Sequence, residues 1–145
     1  MNDKPSFLSP QLVNLQEHID SRGMLVVAEI GHSLPFIVER MFVVSGVPEG
    51  EPRGIHAHRV CHQFLVCVAG SVKAMADDGI QRQVFTLDSP TRGLHLPPLT
   101  WGAQFDYSAD AVLIVLASHT YDEHDYIHDF DTFTAEVKKA RPESV

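Results

Sequence analysis

Residues 50–70 read GEPRGIHAHRVCHQFLVCVAG, and the reading of this stretch decides the fold. His56 and His58 are separated by one residue. Alternate side chains of an extended strand project to one face, so the two imidazoles stand side by side, and inside a barrel if the strand lines one. The β-branched and aromatic run 63–69 (QFLVCVA) follows, closed by a tight turn or bulge at Gly70-Ser71. Similar runs occur at 24–30 (MLVVAEI), 37–45 (IVERMFVVS), 71–76 (SVKAMA), 83–87 (QVFTL) and 111–117 (AVLIVLA), most of them bounded by Gly, Pro, Asp or Ser. Between two of them, Asp77-Asp78-Gly79 predicts a hairpin turn with Gly79 at positive φ. Only the tail has helical spacing. In DTFTAEVKKA (131–140), Phe133 and Val137 fall at i and i+4 and two lysines sit near the end that the helix dipole makes negative, which predicts a short helix over 131–141. Short strands, frequent turns and one terminal helix predict an all-β sandwich or barrel of the jelly-roll kind.

The bulk properties agree. The 145 residues suffice for one domain, 1–145, with a sizeable core, and 44% hydrophobic with 21% charged residues falls in the globular range. A net charge of −8 argues against a general nucleic-acid partner, because neutralising phosphates needs a basic face, but it leaves room for a local arginine site for one diphosphate. No secretory signal and no apolar run of the ~18 residues that a membrane span needs are seen, which predicts a soluble cytoplasmic protein. Cys61 and Cys67, placed on one strand, would face the same way about 20 Å apart, too far to bond, so free thiols in a reducing compartment are expected.

The spacing G-x5-H-x-H-x4-Q-x6-G, from Gly50 through His56, His58 and Gln63 to Gly70, resembles the first cupin motif, with Gln63 where that motif carries Glu. The second cupin motif corresponds to PPLTWG, residues 97–102, and Gly102 stands where its histidine falls. A carboxylate has become an amide and an imidazole is missing. Two imidazoles and an amide hold a divalent ion poorly, so no metal is expected. His62 shares a face with His56 and His58 on a regular strand and is the remaining candidate ligand. Without a metal, the histidines are suited to proton transfer near neutral pH, or are two satisfied imidazoles in a polar pocket.

From about Asp20 to Phe133 the chain resembles the dTDP-sugar 3,4-ketoisomerases, the FdtA-like or WxcM-like proteins of the cupin superfamily. The blocks that carry the likeness are Asp20-Ser21-Arg22-Gly23, Pro52 to His58, Gly70-Ser71, Asp77-Asp78-Gly79, Leu87 to Pro90, Gly93-Leu94 and Trp101, followed by Ala111 to Ser118, Tyr121-Asp122 and Asp125-Tyr126-Ile127. Their order and spacing make the signal specific. The resemblance implies a cupin jelly roll, a homodimer exchanging N-terminal strands, and isomerisation of dTDP-4-keto-6-deoxyglucose to a dTDP-3-keto-6-deoxyhexose without metal or organic cofactor, for deoxyamino-sugar biosynthesis. It also makes His56 and His58 the catalytic pair.

Arg53 is the first candidate for the diphosphate, because a guanidinium matches phosphate oxygens in bidentate fashion; Arg22 and Arg40 are further candidates. Trp101 could pack against sugar or thymine, or fill the core. Gln63 could orient a histidine, bond a sugar hydroxyl or close a polar network. Two departures leave the galacto or gluco outcome at C4 open: Met41-Phe42-Val43 replaces tyrosines that relatives often carry, and Gly102 follows Trp101 where relatives often place a polar side chain. The histidine-rich stretch 119–128 (HTYDEHDYIH) reads as part of the family pattern rather than as an ion site. Two other functions stay open: a cupin nucleotide-sugar epimerase, and a non-catalytic sugar- or nucleotide-binding or metal-dependent cupin.

Overall fold

The computed structural model describes residues 9–142. In chain order it contains strands β1 (Gln11–Asn14), β2 (Gln16–Asp20), β3 (Gly23–Val27), β4 (Arg40–Ser45), β5 (Arg53–His58), β6 (Gln63–Ala69), β7 (Val72–Asp77), β8 (Arg82–Leu87), β9 (Arg92–Leu96), β10 (Trp101–Phe105), β11 (Val112–Ala117) and β12 (Tyr126–Ile127), then helix α1 (Phe130–Ala140). Two five-stranded antiparallel sheets, ordered β1-β9-β6-β11-β4 and β12-β5-β10-β7-β8, form the body, and among the described residues β2 pairs only with β3. This is the all-β architecture with a short C-terminal helix that the residue pattern predicts.

Period-two alternation sorts the apolar side chains into three clusters. Between the sheets, Leu65, Leu94, Leu113 and Val115 of the first meet Val72, Ala74, Ala76 and Leu87 of the second. On the outer face of the first sheet, Phe64 and Val66 are covered by Leu15, Leu34 and Phe36. On the outer face of the second, Ala57 and Trp101 are covered by Ile127 and by Phe133 and Val137 of α1. The helix begins at Phe130, one residue before the predicted start, because Asp129 caps it by accepting from the Thr132 amide. Asp77-Asp78-Gly79 does form the β7–β8 turn, with Gly79 at φ 89°.

Strands β9 and β10 lie outside the predicted runs. RGLHL and WGAQF each contain glycine and a polar residue, and they become strands because each is hydrogen-bonded on both sides, β9 between β1 and β6, β10 between β5 and β7. The stretch 59–62 is a correction of another sort. The chain turns there from one sheet to the other, so Cys61 precedes β6 instead of sharing it with Cys67, although both thiols are free and buried. The same turn carries His62 away from His56 and His58. Its Nδ1 lies 2.9 Å from His95 Nε2, the rings stacked at 9°, with Phe36 against both. Among the described residues no helix is long and apolar enough to cross a membrane.

Candidate active site

Strands β5 and β10 are out of step by one residue: Gly102 pairs with His56, but Gln104 pairs with Arg53. The extra residue of β5 is a bulge made at Gly54, whose φ of 64° suits glycine and whose missing Cβ leaves room for the Gln104 side chain. On a regular strand Arg53 and His56, three apart, would face opposite ways. The bulge turns Arg53 so that both line one cavity.

That cavity, of about 350 Å³, opens between the two sheets. Phe42, Val44, Leu65 and Val115 give it an apolar wall, while Arg53, His56, Gln63, Gln104 and Tyr126 bring polar groups to it. Gly102 lies across from His56 on the neighbouring strand and brings no side chain to that position.

His58 is not among the residues lining the cavity; it sits behind His56. The two Nε2 atoms are 3.1 Å apart, and on its far side His58 Nδ1 is 2.8 Å from Asp125 Oδ2. Both His58 and Asp125 are buried, at 5% and 7% side-chain exposure. Asp125 Oδ1 accepts the Val60 amide at 2.7 Å. Burial opposes the charge on Asp125, but the Val60 amide, His58 and the Arg59 amide outweigh it and hold the carboxyl below its usual range. Burial lowers His56 to about 4, helped by His58, His128 and Arg40, so at neutral pH it is an uncharged imidazole. Burial also lowers His58, against the opposing pull of Asp125. The Tyr126 ring packs 4.9 Å from that of His56 and 4.4 Å from that of His58, and its hydroxyl is 3.5 Å from Arg40 Nη2.

Cys61 Sγ joins His58 and Asp125 in a group whose ligand-type atoms lie within 4.8 Å of one another. Hydrogen bonds account for the grouping: the thiol donates to His62 O and accepts from Ser118 Oγ, and each Asp125 oxygen already has a donor. A cation there would displace these bonds, and the donor set does not recommend it.

Of the sequence-derived site residues, His56, Arg53 and Gln63 share the cavity wall, His58 backs His56, and Arg40 reaches the cluster through Tyr126. Arg40 Nε is buried with no hydrogen-bond partner among the described residues, and its guanidinium lies 5.7 Å from the rings of Phe42 and Tyr121. The other two lie elsewhere. Trp101 is on the outer face of the second sheet, 5.8 Å from Phe133 and 5.4 Å from Phe130, because the parity that points Gly102 and Gln104 inward points Trp101 outward under α1. Arg22 is exposed in the β2–β3 turn, where its guanidinium binds the Asp20 carboxylate, outside the cavity of its own chain.

Comparison with known proteins shows the family. The WxcM-like, C-terminal family profile (FdtA) matches residues 9–138. The chain belongs to this FdtA family. A curated relative from Aneurinibacillus thermoaerophilus, TDP-4-oxo-6-deoxy-alpha-D-glucose-3,4-oxoisomerase, is 43% identical over 129 residues, which is 89% of this chain and 93% of the relative. A solved structure of a mutant of the 3,4-ketoisomerase QdtA from Thermoanaerobacterium thermosaccharolyticum, in complex with TDP-4-keto-6-deoxyglucose, shares 35% identity at a TM-score of 0.86, covering 90% of this chain and 94% of its own. The TDP-quinovose 3,4-ketoisomerase WlaRB from Campylobacter jejuni shares 31% identity at a TM-score of 0.84, covering 89% and 99%. Asp125 and Tyr126 carry no role that the sequence alone assigns. Both prove to belong to the site, and the signal available in the sequence was a Tyr-flanked aspartate just after the last long strand, facing two histidines that lacked a partner.

Proposed function

We propose that this chain is a metal- and cofactor-independent 3,4-ketoisomerase acting on dTDP-4-keto-6-deoxyglucose and releasing a dTDP-3-keto-6-deoxyhexose. The observation that carries this reading is an imidazole, His56, backed by a second one 3.1 Å away and lining a cavity that Arg53 also enters. The 4-keto group acidifies the C3 proton. His56 accepts that proton, the C3–H electron pair becomes a C3–C4 double bond, and the carbonyl electrons move to O4. A proton shifts from O3 to O4. His56 then returns its proton to C4 as O3 becomes the carbonyl. Such acid–base help contributes roughly 10²–10⁴-fold. Arg53 is proposed to hold the diphosphate, with Gln63 and Gln104 toward the sugar. Arg40 and the Tyr126 hydroxyl supply positive potential for the enediolate.

The decisive experiment incubates EDTA-treated protein with dTDP-4-keto-6-deoxyglucose in D₂O and follows the sugar by NMR. A 3-keto product is expected. Tyr126 beside His56 favours one competing reading, an epimerase with a tyrosine acid. Deuterium entering C5 without a 3-keto product would establish that reading instead.

We further propose a cytoplasmic homodimer. The free thiols suit a reducing compartment. The β2–β3 hairpin pairs with neither large sheet and exposes Ile19, Met24 and Leu25, while the edge strand β4 exposes Met41 and Val43. A second copy that exchanges this hairpin would bury these apolar groups. Sedimentation equilibrium is expected to give twice the 16.1 kDa chain mass, and a species of 16.1 kDa would refute the dimer.

A further inference from the structure

From the cavity inward, three groups stand in line: His56 on the wall, His58 behind it, and Asp125 behind that. Each link constrains where the protons sit. An ionised carboxylate only accepts, so His58 must present Nδ1–H to Asp125 Oδ2. Neutral His58 then has a bare lone pair on Nε2. That atom faces His56 Nε2 at 3.1 Å, so His56 must carry its hydrogen on Nε2 to make the contact a bond. The remaining lone pair of His56 is on Nδ1. Resting on the ketoisomerase reading above, we infer that Asp125 is a positioning residue that fixes the tautomers of both histidines, leaving His56 Nδ1 as the base and His58 as the store for the proton it takes.

The proton count closes. As the C3–H bond breaks, its proton goes to His56 Nδ1 and its electron pair into the C3–C4 bond. The Nε2–H of His56 crosses to His58 Nε2, and the resulting imidazolium lies against the Asp125 carboxylate. Protonation of C4 reverses both transfers, so the relay ends as it began. His56 alone, in its buried and positively biased surroundings, holds a proton poorly. Passing the charge one ring deeper puts it beside the buried anion at hand. This also divides the labour of the pair: His56 meets the sugar, and His58 acts through His56.

Asp125→Asn tests the assignment. The Asn carbonyl keeps the Val60 amide bond, while its amide donates to His58 Nδ1 and drives the hydrogen to Nε2. That hydrogen then pushes the one on His56 to Nδ1, where it occupies the base position. The expected result is a fall in kcat of roughly 10²–10⁴-fold with the affinity for dTDP unchanged. ¹⁵N NMR of the wild-type protein provides a readout independent of any variant. It is expected to show Nδ1–H on His58 and Nε2–H on His56, and the reverse pattern on His58 would overturn the inference, as would an Asn variant with wild-type kcat. If the wild-type protein fails to turn over the keto sugar, the functional reading falls while the NMR result still decides the tautomers.

Discussion

His56→Asn is expected to lower kcat on dTDP-4-keto-6-deoxyglucose by about 10⁴-fold, the upper end of acid–base contributions, while dTDP binds with near wild-type affinity. Asn is polar and of similar reach, so it can fill the wall of the cavity and still bond His58 Nε2, but its amide cannot take a proton from carbon. The relay behind it then has nothing to receive. Arg53 is on the same strand but beyond the Gly54 bulge, so the diphosphate contact proposed for it is undisturbed. Isothermal titration with dTDP and single-turnover NMR separate the two effects. An active Asn variant would show that His56 is not the base, whereas joint loss of binding and turnover would point to collapse of the pocket.

The largest effect on stability is expected from Phe133→Ala, at about 3–5 kcal/mol, seen as a fall in Tm of roughly 10 °C. Phe133 is 1% exposed and packs against Trp101 and Phe130, and with Val137 it is what α1 buries against the second sheet. Truncation opens a cavity among rigid aromatic rings that cannot close it. The damage also reaches toward the site. Ile127 shares that cluster and is one residue from Tyr126, and Arg59 links the segment to the helix by bonding the carbonyls of His124 and Tyr126 and the carboxylate of Glu136. Calorimetry checks the first claim; a Tm within about 3 °C of wild type would refute it.

Much of this molecule was legible in the residues. Alternation and turn chemistry located β6, β7, β8 and β11 closely, because each is a short run of alternating or β-branched residues ended by Gly, Asp or Ser. The histidine spacing placed His56, and the count from Pro97 to Gly102 found the position opposite it. What stayed hidden depended on partners distant in sequence. β9 and β10 are strands because of their neighbours. His62 parted from His56 because the chain changes sheets within four residues, which periodicity assumed regular could not show. Of the two readings open for Trp101, its parity relative to Gly102 selects the core-filling one, under α1. Asp125 lies 67 positions from His58, and nothing local to either announces the pairing.

The bulge at Gly54 makes the distance from Arg53 to the base a matter of counting. Where β10 uses two steps, β5 uses three, and an odd separation thereby delivers two side chains to one wall. Loops elsewhere in such a fold absorb an added or lost residue at the surface. Here the same change would act as a frameshift in space, swinging either the cation or the imidazole to the far side of the sheet. The interval from Arg53 to His56 thus fixes how far apart the cation and the imidazole stand on one cavity wall, and that spacing is held by a residue with no side chain.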